Sequence, residues 1–220
     1  MSEPRRALIV VDAQREYFEG ALPIVHPPRE SALARIVEAV GHAHAADIPV
    51  VVVRHERPGG TVAFVPGSRG AQTHRDVEAV TEGAVLVVKR FSSVFAGTGL
   101  AERLNDDGVD TVTLVGFMTN NCILASAADA EPRGLSVEVL SDATGAVGLA
   151  NDAGSVGART VHETLMPMLH SNWAAVADVR AWAAAVTAGR SLAPDSLVAS
   201  AARHRAGTPA ARHRTGTPAA

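Results

Sequence analysis

Along this chain, short runs of β-branched and other apolar residues alternate with alanine-rich stretches of helical length. The apolar runs are ALIVVD (Ala7 to Asp12), PVVVVRH (Pro49 to His55), AVLVVK (Ala84 to Lys89), TVTLVG (Thr111 to Gly116) and SVEVLSDA (Ser136 to Ala143), with a weaker sixth in WAAVADV (Trp173 to Val179). They are near-continuously apolar and do not strictly alternate, which predicts strands covered on both faces, so a parallel sheet lies between two helical layers. The segments RESALARIVEAVGHAHAA, GLAERLNDDG, NCILASAADAEPRG and GSVGARTVHETLMPML read as the intervening helices. In the first, Leu33, Ile36, Val37 and Val40 recur at helical spacing and form a stripe that can lie on the sheet. Strand and helix in this order make βαβ units, so the predicted fold is α/β with three layers, α/β/α.

Two segments depart from this rhythm. RPGGTVAFVPGSRGAQTH (Arg57 to His74) is glycine-rich and without period, an excursion of the length usual for a lid or an interface arm. At the end of the chain ARHRAGTPA (Ala202 to Ala210) recurs as ARHRTGTPA (Ala211 to Ala219), small, basic and proline-containing, with nothing to bury. We therefore expect one domain over residues 1–190 and a disordered tail over 191–220. The chain has 220 residues, 47% of them apolar, enough for the core of one such domain.

A net charge of −3 gives no reason to expect nucleic acid or an anionic membrane as a partner. The apolar run after Arg5 and Arg6 is too short for a signal peptide, and no stretch reaches the length of a membrane-spanning helix. A single cysteine, Cys122, excludes an intrachain disulfide and fits a reducing cytoplasm.

The chain's only lysine, Lys89, stands among 20 Lys and Arg residues. An ammonium is a compact point charge on a flexible stem, and its choice over a guanidinium at one place points to chemistry there. Lys89 ends the third apolar run, Asp12 ends the first, and Cys122 follows the fourth. In an open parallel sheet ligands bind beyond the carboxyl ends of the strands, where strand order reverses, so these three residues converge on the edge where a site belongs. Taken singly, Cys122 reads equally as an apolar filler and Asp12 as a turn cap. Together they offer a nucleophile, a proton acceptor and a cation. Thr119, Asn120 and Asn121 stand ready to cap a helix opened by Cys122, whose amino terminus would favour the thiolate, as would Lys89.

The constellation resembles the isochorismatase-like cysteine hydrolases, a family that includes nicotinamidases and N-carbamoylsarcosine amidase. VVDAQREYF matches the first-strand motif Asp-x-Gln-x-x-Phe with one extra residue before the aromatic, and VVKRFSSVFAGTGL matches the lysine motif. GFMTNNCILASAADA matches the nucleophile motif, and SDAT closes the next strand. The resemblance spans about Ala7 to Leu169. It implies a six-stranded, Rossmann-like parallel sheet, a triad of Asp12, Lys89 and Cys122, and a cis peptide before Met118 that aims the Met118 and Cys122 N–H groups as an oxyanion hole. It also implies a homodimer or larger homo-oligomer. Nicotinamidases of the family place an Asp-x-His metal pair after the second strand, where this chain has Arg54 and His55 in VVRHERPGG, so no catalytic metal and no cofactor are expected.

The expected activity is a metal-independent cysteine hydrolysis of an amide, ureido or lactam-type C–N bond of a small molecule through a thioester. The alternatives are a vinyl-ether hydrolase of the isochorismatase type and a non-catalytic small-molecule binder. Gln14, Phe18, His55, Phe64, Phe95 and Thr119 are the candidate substrate-binding residues; for Phe64 and Phe95 a core role is the competing assignment.

Overall fold

A computed structural model describes residues 3–207. The six apolar runs form one parallel sheet of β1 (Arg6–Val11), β2 (Val50–His55), β3 (Val85–Lys89), β4 (Thr111–Phe117), β5 (Ser136–Gly145) and β8 (Ala175–Ala177), in the order β3-β2-β1-β4-β5-β8. Strand order reverses between β1 and β4. Every residue of β1 is buried because helices cover both of its faces. Ile9 and Val11 pack with residues of α4 (Leu100–Asp106), α5 (Leu124–Ala130) and α6 (Ala158–Asn172). Leu8 and Val10 face α2 (Arg29–Ala45) and α7 (Val179–Thr187), where Ile36, Val40 and Trp182 are wholly buried. The Leu33, Ile36 and Val40 stripe lies on the sheet, whereas Val37 stands at its margin and is only half-buried.

Three local expectations change. Residues 154–157, read as the start of a helix, instead complete a small hairpin of β6 (Leu149–Asn151) and β7 (Gly154–Val156), and α6 begins at Ala158. Two short helices escape the 3.6-residue pattern for lack of length: α1 (Glu16–Glu19) and α3 (Arg75–Val80), the latter at the far end of the Arg57 to His74 excursion. The tail is not structureless throughout. α8 (Leu197–Arg205) forms because Ser196 caps it through its side chain, Asp195 pairs with Arg203, and the helix rests against α6. The rest of the repeat lies outside the described residues.

Gly116 shapes the end of β4. Its φ is +108°, and a Cβ there would lie 2.0 Å from the Val11 carbonyl oxygen. The close approach of β4 to β1 coincides with a register shift against β5 between Leu114 and Gly116. The chain then turns through a cis Phe117–Met118 peptide into a π-helical turn, Thr119–Ile123, that leads into α5.

Candidate active site

Adjacent strands in a sheet lie about 4.8 Å apart, so β3 is about 10 Å from β1 and only a long side chain can cross from one strand end to the other. Lys89 does so. Its Nζ lies 2.8 Å from Asp12 Oδ2 and 3.2 Å from Cys122 Sγ. It also donates to the Phe91 carbonyl at 3.1 Å and meets His55 Nδ1 at 3.4 Å, so four acceptors surround three N–H groups. Asp12, Lys89 and Cys122 are 0%, 1% and 3% exposed. Asp12 itself sits at φ +48°, the sharp turn that ends β1 and directs its side chain over the sheet edge.

The electrostatics correct one expectation. Burial, and then the neighbouring Asp12 charge, push the Cys122 thiol up to about 12, with Lys89 pulling the other way. The π-helical turn and Lys89 therefore do not hold a resting thiolate; the sulfur is protonated until a base takes its proton. Asp12 is the adjacent carboxylate. Burial raises its carboxyl above the ordinary value, and the Lys89 ammonium opposes that rise. For Lys89, burial alone would lower the pKa, but Asp12 and Cys122 outweigh it and the group is raised, so it stays cationic.

The remaining candidates divide. His55 is at the site, held by Lys89 and edge-on to the Phe64 ring at 5.2 Å. Phe64, at φ +56° in the Arg57 to His74 excursion, also packs on Tyr17 at 5.3 Å. Gln14 is not free for a ligand: its amide bonds the backbone of His55 twice and the Ala71 carbonyl once, tying β2 to the Arg57 to His74 excursion. Phe95 is 2% exposed and belongs to the core on the α4 and α5 side. Phe18 points away, its ring 4.5 Å from His74 over the groove against α2. The reason is register: Asp-x-Gln-x-x-aromatic is met by Tyr17 with no extra residue, and Tyr17 is the ring that packs on Phe64 and Phe117. Thr119 is wholly buried, and its hydroxyl meets His162 Nδ1 at 2.9 Å and caps no helix.

His162 and Ser126 carry parts of the site that the sequence did not reveal. Ser126 Oγ donates to the Cys122 carbonyl at 2.6 Å and accepts from Val94 N, bracing the Cys122 turn against the segment after Lys89. His162 reaches the same turn from α6, and its isolated place in a helical pattern gave no signal.

Burial, and then the nearby His26, lower the His162 pKa to about 4. A group depressed in the fold contributes stability that is present above its unfolded value, ordinarily 6.5, and is lost as pH falls toward the folded value. The expected loss from His162 between these limits is on the order of 3 kcal/mol. Urea midpoints measured from pH 7 to pH 4.5 should fall steeply, and His162→Gln should flatten that slope; equal slopes would refute this account.

The second-strand end does not fit a nicotinamidase-type metal site. Arg54 is paired with Glu56 at 2.9 Å, and the His55 Nδ1 lone pair faces an ammonium. Among the described residues no group of three or more His, Cys, Asp or Glu side chains is placed to hold a metal ion. Among them, too, no helix is long and apolar enough to cross a membrane.

Residues 6–169 match the Isochorismatase domain model. The chain belongs to the isochorismatase family. A solved putative isochorismatase from Burkholderia xenovorans is 43% identical and superposes with a TM-score of 0.89, covering 94% of this chain and 99% of that one. The secreted isochorismatase effector Isc1 of Verticillium dahliae is 35% identical over 63% of this chain and 71% of its own. Maleamate amidohydrolase of Pseudomonas putida is 32% identical, again over 63% of this chain and 71% of its own. The protein is a hydrolase of this family.

Proposed function

We propose that the protein hydrolyses a C–N bond of a small amide or ureide by a thioester route in which Asp12, Lys89 and Cys122 act as one unit. The observation that carries this reading is the Lys89 ammonium within 3.2 Å of both the carboxylate and the sulfur, with all three side chains buried. Amidohydrolases among the relatives support it.

Asp12 accepts the thiol proton as sulfur attacks the carbonyl carbon, so the thiolate forms only as it is consumed. The Lys89 charge stabilises both anions in turn. Developing charge on the carbonyl oxygen rests on the Met118 and Cys122 N–H groups, where fixed donors contribute most. Asp12 passes its proton to the departing nitrogen, and the C–N bond breaks to leave a thioester. Water then attacks, Asp12 takes its proton, and the acid leaves as the thiol is restored. No step uses a metal, and a single free thiol fits a reducing compartment such as the cytoplasm.

Ammonia or amine release across a panel of amides and ureides tests the reading, with Cys122→Ser as control. Release that survives Cys122→Ser would overturn it. Turnover of isochorismate by that variant would favour vinyl-ether cleavage, the activity suggested by the Verticillium relative's name.

We expect the chain to assemble with copies of itself. Leu86 and Val88 are 52% and 43% exposed on the edge strand β3, and Phe91, just beyond Arg90, is 63% exposed, apolar side chains that water covers poorly. Sedimentation at micromolar concentration should show a dimer or larger species, and a monomer there would refute this.

A further inference from the structure

Tyr17 is the chain's only tyrosine, as Lys89 is its only lysine and Cys122 its only cysteine. It holds the place where the first-strand motif has Phe, so its hydroxyl is an addition of this chain.

The residue is fixed on several sides. Its backbone N–H donates to the Gln14 carbonyl at 3.1 Å, and its own carbonyl accepts from the Ile24 N–H at 3.0 Å. Its ring packs on Phe64 at 5.3 Å and on Phe117 at 5.4 Å. These two neighbours lead to opposite sides of the trio. Phe64 lies against His55, whose Nδ1 meets Lys89 Nζ, and Phe117 leads through Met118 into the turn that carries Cys122.

Tyr17 is 2% exposed, yet its hydroxyl makes no hydrogen bond among the described residues. Neither oxygen of Asp12 accepts one from it. A buried tyrosine hydroxyl ordinarily has a partner. This one is not among the fully occluded unpartnered atoms, so it opens onto a small free space. Burial, and then the Asp12 and Cys122 groups, raise its pKa well above the ordinary 10, and Glu16, its neighbour in the chain, acts only after them. The hydroxyl end is therefore turned to the trio and stays a neutral donor.

We propose that Tyr17 is a substrate-binding residue whose hydroxyl donates to an uncharged acceptor oxygen, an ether or a hydroxyl, carried close to the scissile carbonyl. This rests on the amide-hydrolase reading and narrows its substrate class. A carbonyl under attack by Cys122 places its first substituent atoms among the residues around the trio, Tyr17 included. A hydrocarbon substituent there leaves the buried hydroxyl unpartnered, which is where a single polar group discriminates most.

The test pairs methoxyacetamide with butyramide and β-methoxypropionamide with valeramide, each pair differing by an oxygen in place of one methylene. Ammonia release gives kcat/KM, and titration calorimetry on Cys122→Ala gives binding without turnover. At least one ether should exceed its hydrocarbon partner by about fivefold or more in both measurements, the scale of one neutral hydrogen bond. Tyr17→Phe, added to either protein, keeps the ring on Phe64 and Phe117 and should bring both ratios toward one. It should leave the urea midpoint unmoved, because the fold loses no hydrogen bond. With one tyrosine in the chain, the tyrosine Fermi doublet in ultraviolet resonance Raman reads this hydroxyl alone, and the bound ether should shift it toward the donor form. A binding margin that Tyr17→Phe removes, with that shift, supports the inference even if no ammonia appears, in which case the hydrolase reading fails alone. No binding margin, a margin that survives Tyr17→Phe, or a doublet that the ether leaves unchanged overturns the inference whether or not amides are hydrolysed.

Discussion

Lys89→Arg should lose a hundredfold or more in kcat/KM, although it keeps the charge. The four acceptors around Nζ, Asp12 Oδ2, Cys122 Sγ, the Phe91 carbonyl and His55 Nδ1, lie between 2.8 and 3.4 Å away and enclose one tetrahedral donor. A planar fork of five N–H groups cannot reproduce that arrangement inside a space where Lys89 is 1% exposed. It would pair bidentately with Asp12 and weaken it as a base, just where a thiol held near 12 depends on that base. Asp12→Asn and Cys122→Ser should each lose at least as much, and the double variants little more than either single one, because the three act together. The acid limb of the rate profile should fall where Asp12 becomes protonated, above the ordinary carboxyl value of 3.8, since burial raises that group. Near-normal turnover by Lys89→Arg would show that the ammonium serves only as a charge.

The layers of the fold were legible because burial on both faces writes itself into β1 and β4 as unbroken apolar runs. The trio was legible because the chain spends its only lysine and its only cysteine at strand ends. What escaped depends on direction in space and not on residue type. The residue type of Gln14 suits a ligand group, but its amide is engaged by His55 and Ala71. Phe18 and Tyr17 differ by one position in a helical turn, which sends one ring outward and the other beneath Phe64. Thr119 looked like a capping or binding hydroxyl, but its partner, His162, comes from an element 43 residues away. The acidity of the thiol escapes the sequence for a related reason: helix position and charge are visible in sequence, whereas 3% exposure is a property of the packed molecule.

The same limit hid a buried ionic cluster at the other end of the sheet. Arg6 and Glu138 stand in the two strands flanking β4, and their side chains are 2% and 3% exposed. Arg6 grips both carboxylate oxygens, with Nη2 2.8 Å from Oε1 and Nε 3.0 Å from Oε2. Thr113 Oγ1 and Trp182 Nε1 donate to Oε2 as well, at 2.8 and 2.9 Å. Arg6 Nη2 also donates to the Arg190 carbonyl at 2.6 Å, so the cluster anchors α7 and the chain beyond it to the sheet. Removing one member of a buried pair strands the other charge without water, at a cost of about 3–5 kcal/mol. Arg6→Leu and Glu138→Leu should each destabilise the fold by that order in urea denaturation. Replacing both removes the stranded charge, so Arg6→Leu/Glu138→Leu should lose much less than the sum of the single variants. The cluster lies at the amino-terminal edge of the sheet, opposite the trio, so any single variant that still folds should retain its kcat. Single losses below about 1 kcal/mol, or losses that simply add, would mean that water reaches this pair and that it does not anchor α7.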